Sequence, residues 1–116
     1  MVRLRKGYRV ERNIRIIFEK VGWKVIRTGA SLGDADLVCL KKGKCILIQI
    51  KSTKKKTLYY YDYMKRNIEK FPFYLVVDFG YGIIRITPPK YKITPADGVD
   101  LKQFLKIRKI YVGGKE

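Results

Sequence analysis

The sequence contains no histidine, and this absence excludes several kinds of catalytic site. Of its 116 residues none is His and only two are Cys. Without an imidazole the chain has no Ser-His-Asp triad, no histidine-dependent nuclease site and no histidine metal site.

Acidic residues are also scarce, and no long apolar run is present. There are 10 Asp and Glu against 27 Lys and Arg, which gives a formal net charge of +17. Such an excess favours nucleic acid as the partner, although composition alone predicts binding rather than catalysis. No run of about 18 apolar residues and no signal-peptide pattern occurs, so we expect no membrane partner. We expect a soluble, intracellular protein, cytoplasmic and nucleoid-associated.

What is present predicts one domain with an ordinary core. Hydrophobic residues make up 47% of the chain, so residues 1–116 are expected to form a single domain with a basic tail from about residue 107 to 116. Apolar periodicity predicts an amphipathic helix over 6–21 that ends at Gly22. Three strands are expected next, and after Pro88-Pro89 a short helix capped by Asp97 or Asp100.

Between the lysine run and the later strands, the spacing predicts a second helix over residues 57–71, capped by Thr57. Its exposed tyrosines, Tyr59, Tyr60 and Tyr63, would stack on bases or fill a subunit interface, with the interface favoured. Strands over 73–79 and 83–87 follow. The resulting order, αβββαββα, predicts an α/β (α+β) fold of three layers with a central mixed five-stranded sheet flanked by helices.

A hairpin around Lys42-Gly43 carries the chemically informative residues. A two-residue turn there pairs Asp36 with Gln49 and brings Asp34 opposite Lys51. Opposed residues share a face of the sheet, so these four side chains are expected to cluster. The alternating isoleucines of the second strand would fill the other face.

The same register gives an expectation for the two cysteines. Cys39 and Cys45 face opposite sides of the hairpin, so a disulfide between them is not expected. Both are interpreted as small buried residues in a reducing compartment.

These segments resemble the archaeal-type Holliday junction resolvases of the PD-(D/E)xK, restriction-endonuclease-like nuclease superfamily. Gln49-Ile50-Lys51 matches the D/E-x-K element, and Asp36 matches the first acid of the motif. The motif is weak alone, but its flanking segments follow in the right order and extend the likeness over roughly residues 5 to 105. The matching segments are 5–12, 25–31, 35–38, 49–51, 54–55 and 94–101.

The resemblance implies a metal-dependent endonuclease that cuts four-way DNA junctions as a homodimer. It implies a catalytic set of Glu11, Asp36, Gln49 and Lys51, in which the first three hold Mg²⁺ or Mn²⁺. Phosphodiester hydrolysis needs a cation held by oxygen ligands, a water made more acidic and a positive group near the phosphate. Lys51 would orient the water or stabilise charge. By itself, Glu11 also fits a solvated first-turn carboxylate, and Asp34 fits a salt-bridge partner of Lys51.

The basic residues near these segments are the candidates for DNA contact. The lysine run also fits a solvated loop, and Arg27 and Ser31 equally fit a strand-edge charge and a loop hydroxyl. Recognition is expected to be of shape and phosphate position. The candidates are Arg5, Lys6, Arg9, Arg12, Arg27, Ser31, Lys54, Lys55 and Lys56.

Gln49 departs from the family pattern, which has an acid at this position. The amide keeps an oxygen of similar shape but removes one negative charge, which weakens binding of a hard cation. Three interpretations stay open: an active natural variant compensated by Asp34 or Glu11, a deliberate Glu-to-Gln change, or an inactive binding descendant. The functional alternatives are a non-catalytic basic DNA-binding or architectural protein, and a nuclease of the same superfamily acting on another DNA substrate.

Overall fold

The computed structural model describes residues 6–29, 35–61, 67, 68 and 70–106. Two helices and nine strands occur within these ranges. The helices are α1 (Lys6–Lys20) and α2 (Leu101–Lys106). The strands are β1 (Lys24–Arg27), β2 (Leu37–Lys41), β3 (Lys44–Ser52), β4 (Leu58–Tyr59), β5 (Asn67–Ile68), β6 (Phe71–Asp78), β7 (Ile84–Thr87), β8 (Lys92–Ile93) and β9 (Val99–Asp100).

Helix α1 ends as the sequence predicts. Gly22 has a φ of +95°, a left-handed conformation that glycine adopts without a steric cost. The Gly22 amide donates to the Glu19 carbonyl at 3.1 Å, and the Trp23 amide donates to the Phe18 carbonyl at 3.2 Å. This pair of hydrogen bonds is a Schellman motif, which turns the chain directly into β1.

The predicted hairpin is confirmed, and its register holds from Leu37–Ile48 to Lys41–Lys44, while the observed ladder ends before the predicted Asp36–Gln49 pair. Lys42 and Gly43 have φ values of 49° and 81°, as a type I′ turn requires. Strands β2 and β3 pair antiparallel, with Leu37 opposite Ile48 and Cys39 opposite Ile46. Both cysteines are free thiols, and Cys39 is buried as predicted, whereas Cys45 is only partly buried. Burial raises the pKa of the Cys39 thiol and, less strongly, that of Cys45.

The mixed sheet with flanking helices is confirmed. All five predicted strands are present and lie in the order β1-β2-β3-β6-β7, which the short β9 extends at one edge while β5 pairs with β6. Strands β3 and β6 run parallel, with Ser52 opposite Asp78 at their ends. The chain segments that leave the C-terminal ends of β3 and β6 therefore start side by side.

The two described helices pack on the same face of the sheet. Ile14 and Phe18 of α1 and Phe104 of α2 belong to one buried cluster with Ile48 and Val76 of the sheet. On the opposite face, the ribbon formed by β4 and β8 contributes to a second cluster, in which Tyr60 and Ile93 pack on Leu75 and Val77. The sheet is thus covered on both faces, which explains the nearly continuous apolar sequence of β6.

The predicted helix over residues 57–71 is wrong wherever its residues are described. Residues 58 and 59 form β4, and residues 67 and 68 form β5. Leu58 and Tyr60 point inward while Tyr59 and Tyr61 are exposed, an alternation of period two. Aromatic residues favour strands, and pairing with β8 decides the conformation. Tyr60 is therefore buried rather than exposed, and Tyr63 lies outside the described residues.

The last described element is α2, which is capped as expected. The Gln103 amide donates to the Asp100 carboxylate at 3.2 Å, so Asp100 is the N-cap, and Asp97 belongs to the preceding turn. The basic tail from residue 107 lies outside the described residues. Across the ranges that the structure describes, no helix combines the length and apolar character that a membrane span needs.

Candidate active site

Asp36 lies at the point where β2 separates from β3. Its amide donates to the Ile48 carbonyl at 2.7 Å, and its carbonyl accepts from the Thr28 amide at 3.1 Å, so its backbone still bridges both neighbouring strands. One step farther along β3, the Ile50 amide donates to Asp36 Oδ2 at 2.7 Å. The carboxylate thus takes the place of the backbone acceptor that β2 would supply, which fixes its position at the strand end.

A cavity of about 250 Å³ opens beside this carboxylate. It brings together three of the residues that the sequence analysis proposed: Glu11 from α1, Asp36, and Lys51 from β3. Its other lining residues are Gly7, Val10, Ile50 and Ser52. Two acidic residues and a lysine from three separate parts of the chain therefore line one open space large enough for several waters or a phosphate group.

Arg27 holds the Glu11 carboxylate. Its Nε donates to Glu11 Oε2 in an ion pair, and its guanidinium lies 5.4 Å from the centre of the Tyr8 ring. The hydrogen bond and charge of Glu11 raise the pKa of Arg27 further above its ordinary value. The Arg27 side chain is 52% exposed and that of Glu11 18%, so the guanidinium keeps a face open to solvent or to DNA.

Gln49, which the sequence analysis expected to cluster with Asp36 and Lys51, does not line this cavity and is bonded elsewhere. The hydroxyl of the buried Tyr60 donates to Gln49 Oε1 at 2.7 Å. Among the described residues that line the 250 Å³ cavity, Gln49 is absent. Residue 49 therefore projects toward the second cluster on the opposite face of the sheet from α1, and its oxygen is used by a protein donor.

The other predicted DNA contacts that the structure describes are exposed residues of α1 and of the segment after β3. Arg9 and Arg12 are exposed on α1, and Lys54, Lys55 and Lys56 are exposed in the segment after β3. The Lys55 amide donates to Thr53 Oγ1 at 3.0 Å, which orders the start of that segment. Arg5, the Lys6 side chain, Ser31 and Asp34 lie outside the described residues.

Sequence reasoning missed two partners of the proposed residues, Tyr60 and Tyr8. Both contacts join segments far apart in the sequence, and neither belongs to the hairpin that revealed the motif. The alternation of Leu58 to Tyr61 was a usable signal for Tyr60, because it marks residue 60 as an inward position of a strand.

The potential metal ligands at this site are of the type that a hard cation prefers, but they are few. Carboxylate and amide oxygens are the ligands that Mg²⁺ prefers. Within the described ranges, no group of three or more Asp, Glu, Cys or His side chains lies close enough to hold a metal. Glu11 and Asp36 supply two carboxylates at the cavity, and the third position of the motif is an amide.

Comparison with known proteins places this geometry in a family. The structure of the Holliday junction resolvase Hjc from Archaeoglobus fulgidus matches with a TM-score of 0.70 at 20% identity, over 88% of this chain and 97% of the other. At that identity the match establishes the fold. The family model described as archaeal Holliday junction resolvase (Hjc) matches residues 2–111, nearly the whole sequence. The chain therefore belongs to the archaeal Holliday junction resolvase family.

Proposed function

We propose that this protein cuts four-way DNA junctions by metal-dependent phosphodiester hydrolysis, as a homodimer of a single nuclease domain. The observation that supports this most is the convergence of Glu11, Asp36 and Lys51 on one cavity in a chain of this family. These residues come from three separate parts of the chain: α1, the residue before β2, and β3. A role on chromosomal junctions also implies association with the nucleoid.

In this proposal Asp36 and Glu11 hold the cation, which is Mg²⁺ or Mn²⁺. When bound, such an ion supplies a more acidic water and neutralises charge on the phosphate. Asp36 is the principal ligand because its Oδ2 is fixed by the Ile50 amide. Lys51, which lines the same cavity, donates to a phosphate oxygen and stabilises the charge that develops there.

Arg27 connects DNA binding with this site. Its guanidinium pairs with Glu11 and remains half exposed, so a phosphate can contact it without displacing the ion pair. Arg9 and Arg12 on α1, and the lysines that follow β3, add exposed positive charge to the two elements that supply Glu11 and Lys51. We infer that the protein reads phosphate positions and branch shape rather than base sequence. Two-fold symmetry would present two such sites to two opposed strands.

A second candidate function follows from Gln49, namely junction binding without cutting. The amide has no charge to offer a cation, and its oxygen accepts from Tyr60. If the third ligand is essential, the chain binds junctions and leaves them intact.

The deciding experiment compares four proteins on a labelled four-way junction with Mg²⁺ or Mn²⁺. These are the parent chain, Gln49→Glu, Asp36→Asn, and Gln49→Glu combined with Asp36→Asn. We expect Gln49→Glu to cut faster than the parent, because a carboxylate that turns from Tyr60 toward the cavity adds a charged ligand. Asp36→Asn is expected to abolish cutting in both backgrounds while leaving junction affinity in place.

Each outcome has one interpretation. Cutting by the parent chain supports the nuclease, and cutting only by Gln49→Glu supports the binding descendant with position 49 as the lost ligand. Failure of both proteins to cut any DNA contradicts the catalytic proposal. Efficient cutting of linear duplex of the same sequence would instead favour a nuclease of the superfamily that acts on another substrate.

A further inference from the structure

The turn between β6 and β7 presents a tyrosine in a conformation that bulky residues rarely adopt. Gly80, Tyr81 and Gly82 have φ values of 89°, 54° and 79°. Glycine tolerates this left-handed region, whereas a side chain with a Cβ is strained there, and a bulky residue is an outlier. The Tyr81 side chain is also fully exposed, at 104% relative accessibility. Neither packing nor turn geometry therefore accounts for a tyrosine at this position.

Hydrogen bonds hold this turn in place. The Gly80 amide donates to Asp78 Oδ1 at 2.7 Å, the Phe79 amide to the Ile83 carbonyl at 2.9 Å, and the Ile83 amide to the Gly80 carbonyl at 3.0 Å. The phenol ring is thus displayed from a defined backbone. Strained positions that the surrounding structure holds in this way concentrate at functional sites.

The turn lies next to the candidate active site. Strands β3 and β6 end together, and the Thr53 amide donates to the Asp78 carbonyl at 3.0 Å just beyond them. A cavity of about 320 Å³ separates the two segments, with Lys54 on one side and Tyr81 on the other. Val10 and Ser52 line both this cavity and the one that contains Glu11, Asp36 and Lys51. The two cavities are therefore neighbours along one surface.

We propose that Tyr81 stacks on an unstacked base at the branch of the DNA while Lys54 contacts the adjoining phosphate. An exposed aromatic ring beside a lysine is the combination that binds single-stranded or splayed nucleotides, since every base offers a π-face and every nucleotide a phosphate. Bases at the centre of linear duplex are stacked on both sides, so this contact would be made only where a branch frees one. Tyr81 then contributes selectivity for branched DNA. This inference deepens the proposed function and rests on it for the identity of the substrate.

The test measures binding in metal-free buffer, where no cutting occurs, at one fixed salt concentration. Four proteins are compared on a four-way junction and on linear duplex of the same sequence: the parent, Tyr81→Asn, Tyr81→Phe and Ile83→Ala. Asn adopts the left-handed region readily, so Tyr81→Asn removes the ring without straining the turn. Ile83 is a matched control because it is an exposed apolar residue of the same turn that is not among the residues lining this cavity.

We expect Tyr81→Asn to weaken junction binding about tenfold, within the range measured for one base stacked on an aromatic ring. Duplex affinity should stay within about twofold, since phosphate contacts are unchanged. Tyr81→Phe and Ile83→Ala should resemble the parent, and the melting temperature of Tyr81→Asn should be equal to that of the parent or higher. A 2-aminopurine placed at the branch should be quenched by the parent and by Tyr81→Phe, and not by Tyr81→Asn.

An equal loss on both DNAs, or no loss on either, overturns the stacking proposal, as does unchanged quenching by Tyr81→Asn. If the parent itself binds the junction no more tightly than duplex, the proposed junction function fails instead. The stacking proposal is then decided by a single-stranded oligonucleotide containing 2-aminopurine. Loss of quenching in Tyr81→Asn supports it, and retained quenching refutes it.

Discussion

The amide of Gln49 has a buried partner, the hydroxyl of Tyr60. The bond is 2.7 Å long and joins β3 to the segment that follows β4. A hydroxyl can donate equally to an amide or to a carboxylate oxygen, so Tyr60 would also hold a glutamate at position 49. In the metal-free protein Tyr60 therefore holds whichever side chain, Gln or Glu, occupies position 49.

We expect Tyr60→Phe to lower the free energy of unfolding by about 0.5–1.5 kcal/mol, because the half-buried Gln49 oxygen loses this donor. In a Gln49→Glu background the loss should rise to about 1.5–3 kcal/mol, since the acceptor is then charged. Urea unfolding of the four proteins measures both values. Tyr59→Phe is the matched control, because that neighbouring ring is 48% exposed, and it should change little. Equal losses in the free energy of unfolding for Tyr59→Phe and Tyr60→Phe would contradict the hydrogen bond between Tyr60 and Gln49.

A second network of hydrogen bonds lies in the turn between β8 and β9. Asp97 accepts three hydrogen bonds: from the Thr94 amide at 2.7 Å, the Thr94 hydroxyl at 3.0 Å and Lys90 Nζ at 2.9 Å. Arg85 Nε donates to the Asp97 carbonyl at 2.9 Å, which ties the turn to β7. The hydrogen bond from Lys90, followed by that from the Thr94 amide, lowers the pKa of Asp97 from 3.8 to about 2.

This pKa gives a pH dependence with a definite sign. A carboxyl whose pKa is lower in the folded state stabilises the fold above its unfolded value and loses that contribution as the pH falls through the folded value. We expect the stability difference between the parent and Asp97→Asn to be constant above about pH 5 and to shrink as the pH falls from there to about 2. Urea unfolding at a series of pH values measures it. A difference that grows on acidification would contradict the sign.

At the scale of elements, Gly98 allows β7, β9 and α2 to come together. Its φ is +67°, and a Cβ added there would lie 2.4 Å from the Ile86 carbonyl oxygen and 2.9 Å from Thr87 Cβ. Backbone cannot move away as a flexible side chain can. The position thus requires glycine for two separate reasons, conformation and space.

Gly29 distinguishes the two effects, because it has the same φ of +67° and an added Cβ would meet no atom of the described residues within 4 Å. We expect Gly29→Ala to cost about 1–2 kcal/mol, the penalty of the left-handed conformation. Gly98→Ala should cost clearly more, roughly 3–5 kcal/mol, because overpacking against backbone adds to it. Thermal and urea unfolding of both variants give the comparison. Similar losses of stability in Gly29→Ala and Gly98→Ala would mean that β7 moves away from residue 98 at no cost in free energy. That result would contradict the close packing around Gly98.

The elements also show what the sequence can and cannot predict. The turn at Lys42-Gly43 fixed the register of β2 and β3 because its chemistry is local. Gly22 and Asp100 marked helix boundaries for the same reason. The segment from Leu58 was assigned to a helix because its strand partner, β8, lies about 35 residues away in the sequence. The pairings of Arg27 with Glu11 and of Tyr60 with Gln49 likewise depend on the tertiary fold. The sequence motif therefore indicated where the candidate site lies but not which side chains contact each other there.

At the scale of the whole molecule, the net charge of +17 is distributed over several surfaces, and the proposed DNA surface is one of them. Strand β3 runs from the Lys42-Gly43 turn to the candidate site, and its nine residues span roughly 26 Å. Exposed lysines lie at both ends. Lys54 lines the 320 Å³ cavity and Lys55 and Lys56 follow it in the chain, while Lys20, Lys24 and Lys42 lie toward the opposite end. If DNA binding depends only on total charge, lysines at both ends should contribute equally. If DNA binds at the candidate active site, Lys54 to Lys56 should contribute more.

Replacing Lys54, Lys55 and Lys56 by Ala should weaken binding to duplex and junction together. It should also reduce the slope of log affinity against log salt by about three, because each lost phosphate contact removes roughly one unit. The matched control replaces Lys20, Lys24 and Lys42 by Ala, which removes the same net charge. If DNA binds over the two cavities, the control should change that slope by less than about one. Fluorescence anisotropy from low to high salt measures both slopes. Equal reductions in the two triple variants would show that DNA senses only the total charge, and would contradict a defined binding surface beside the candidate active site.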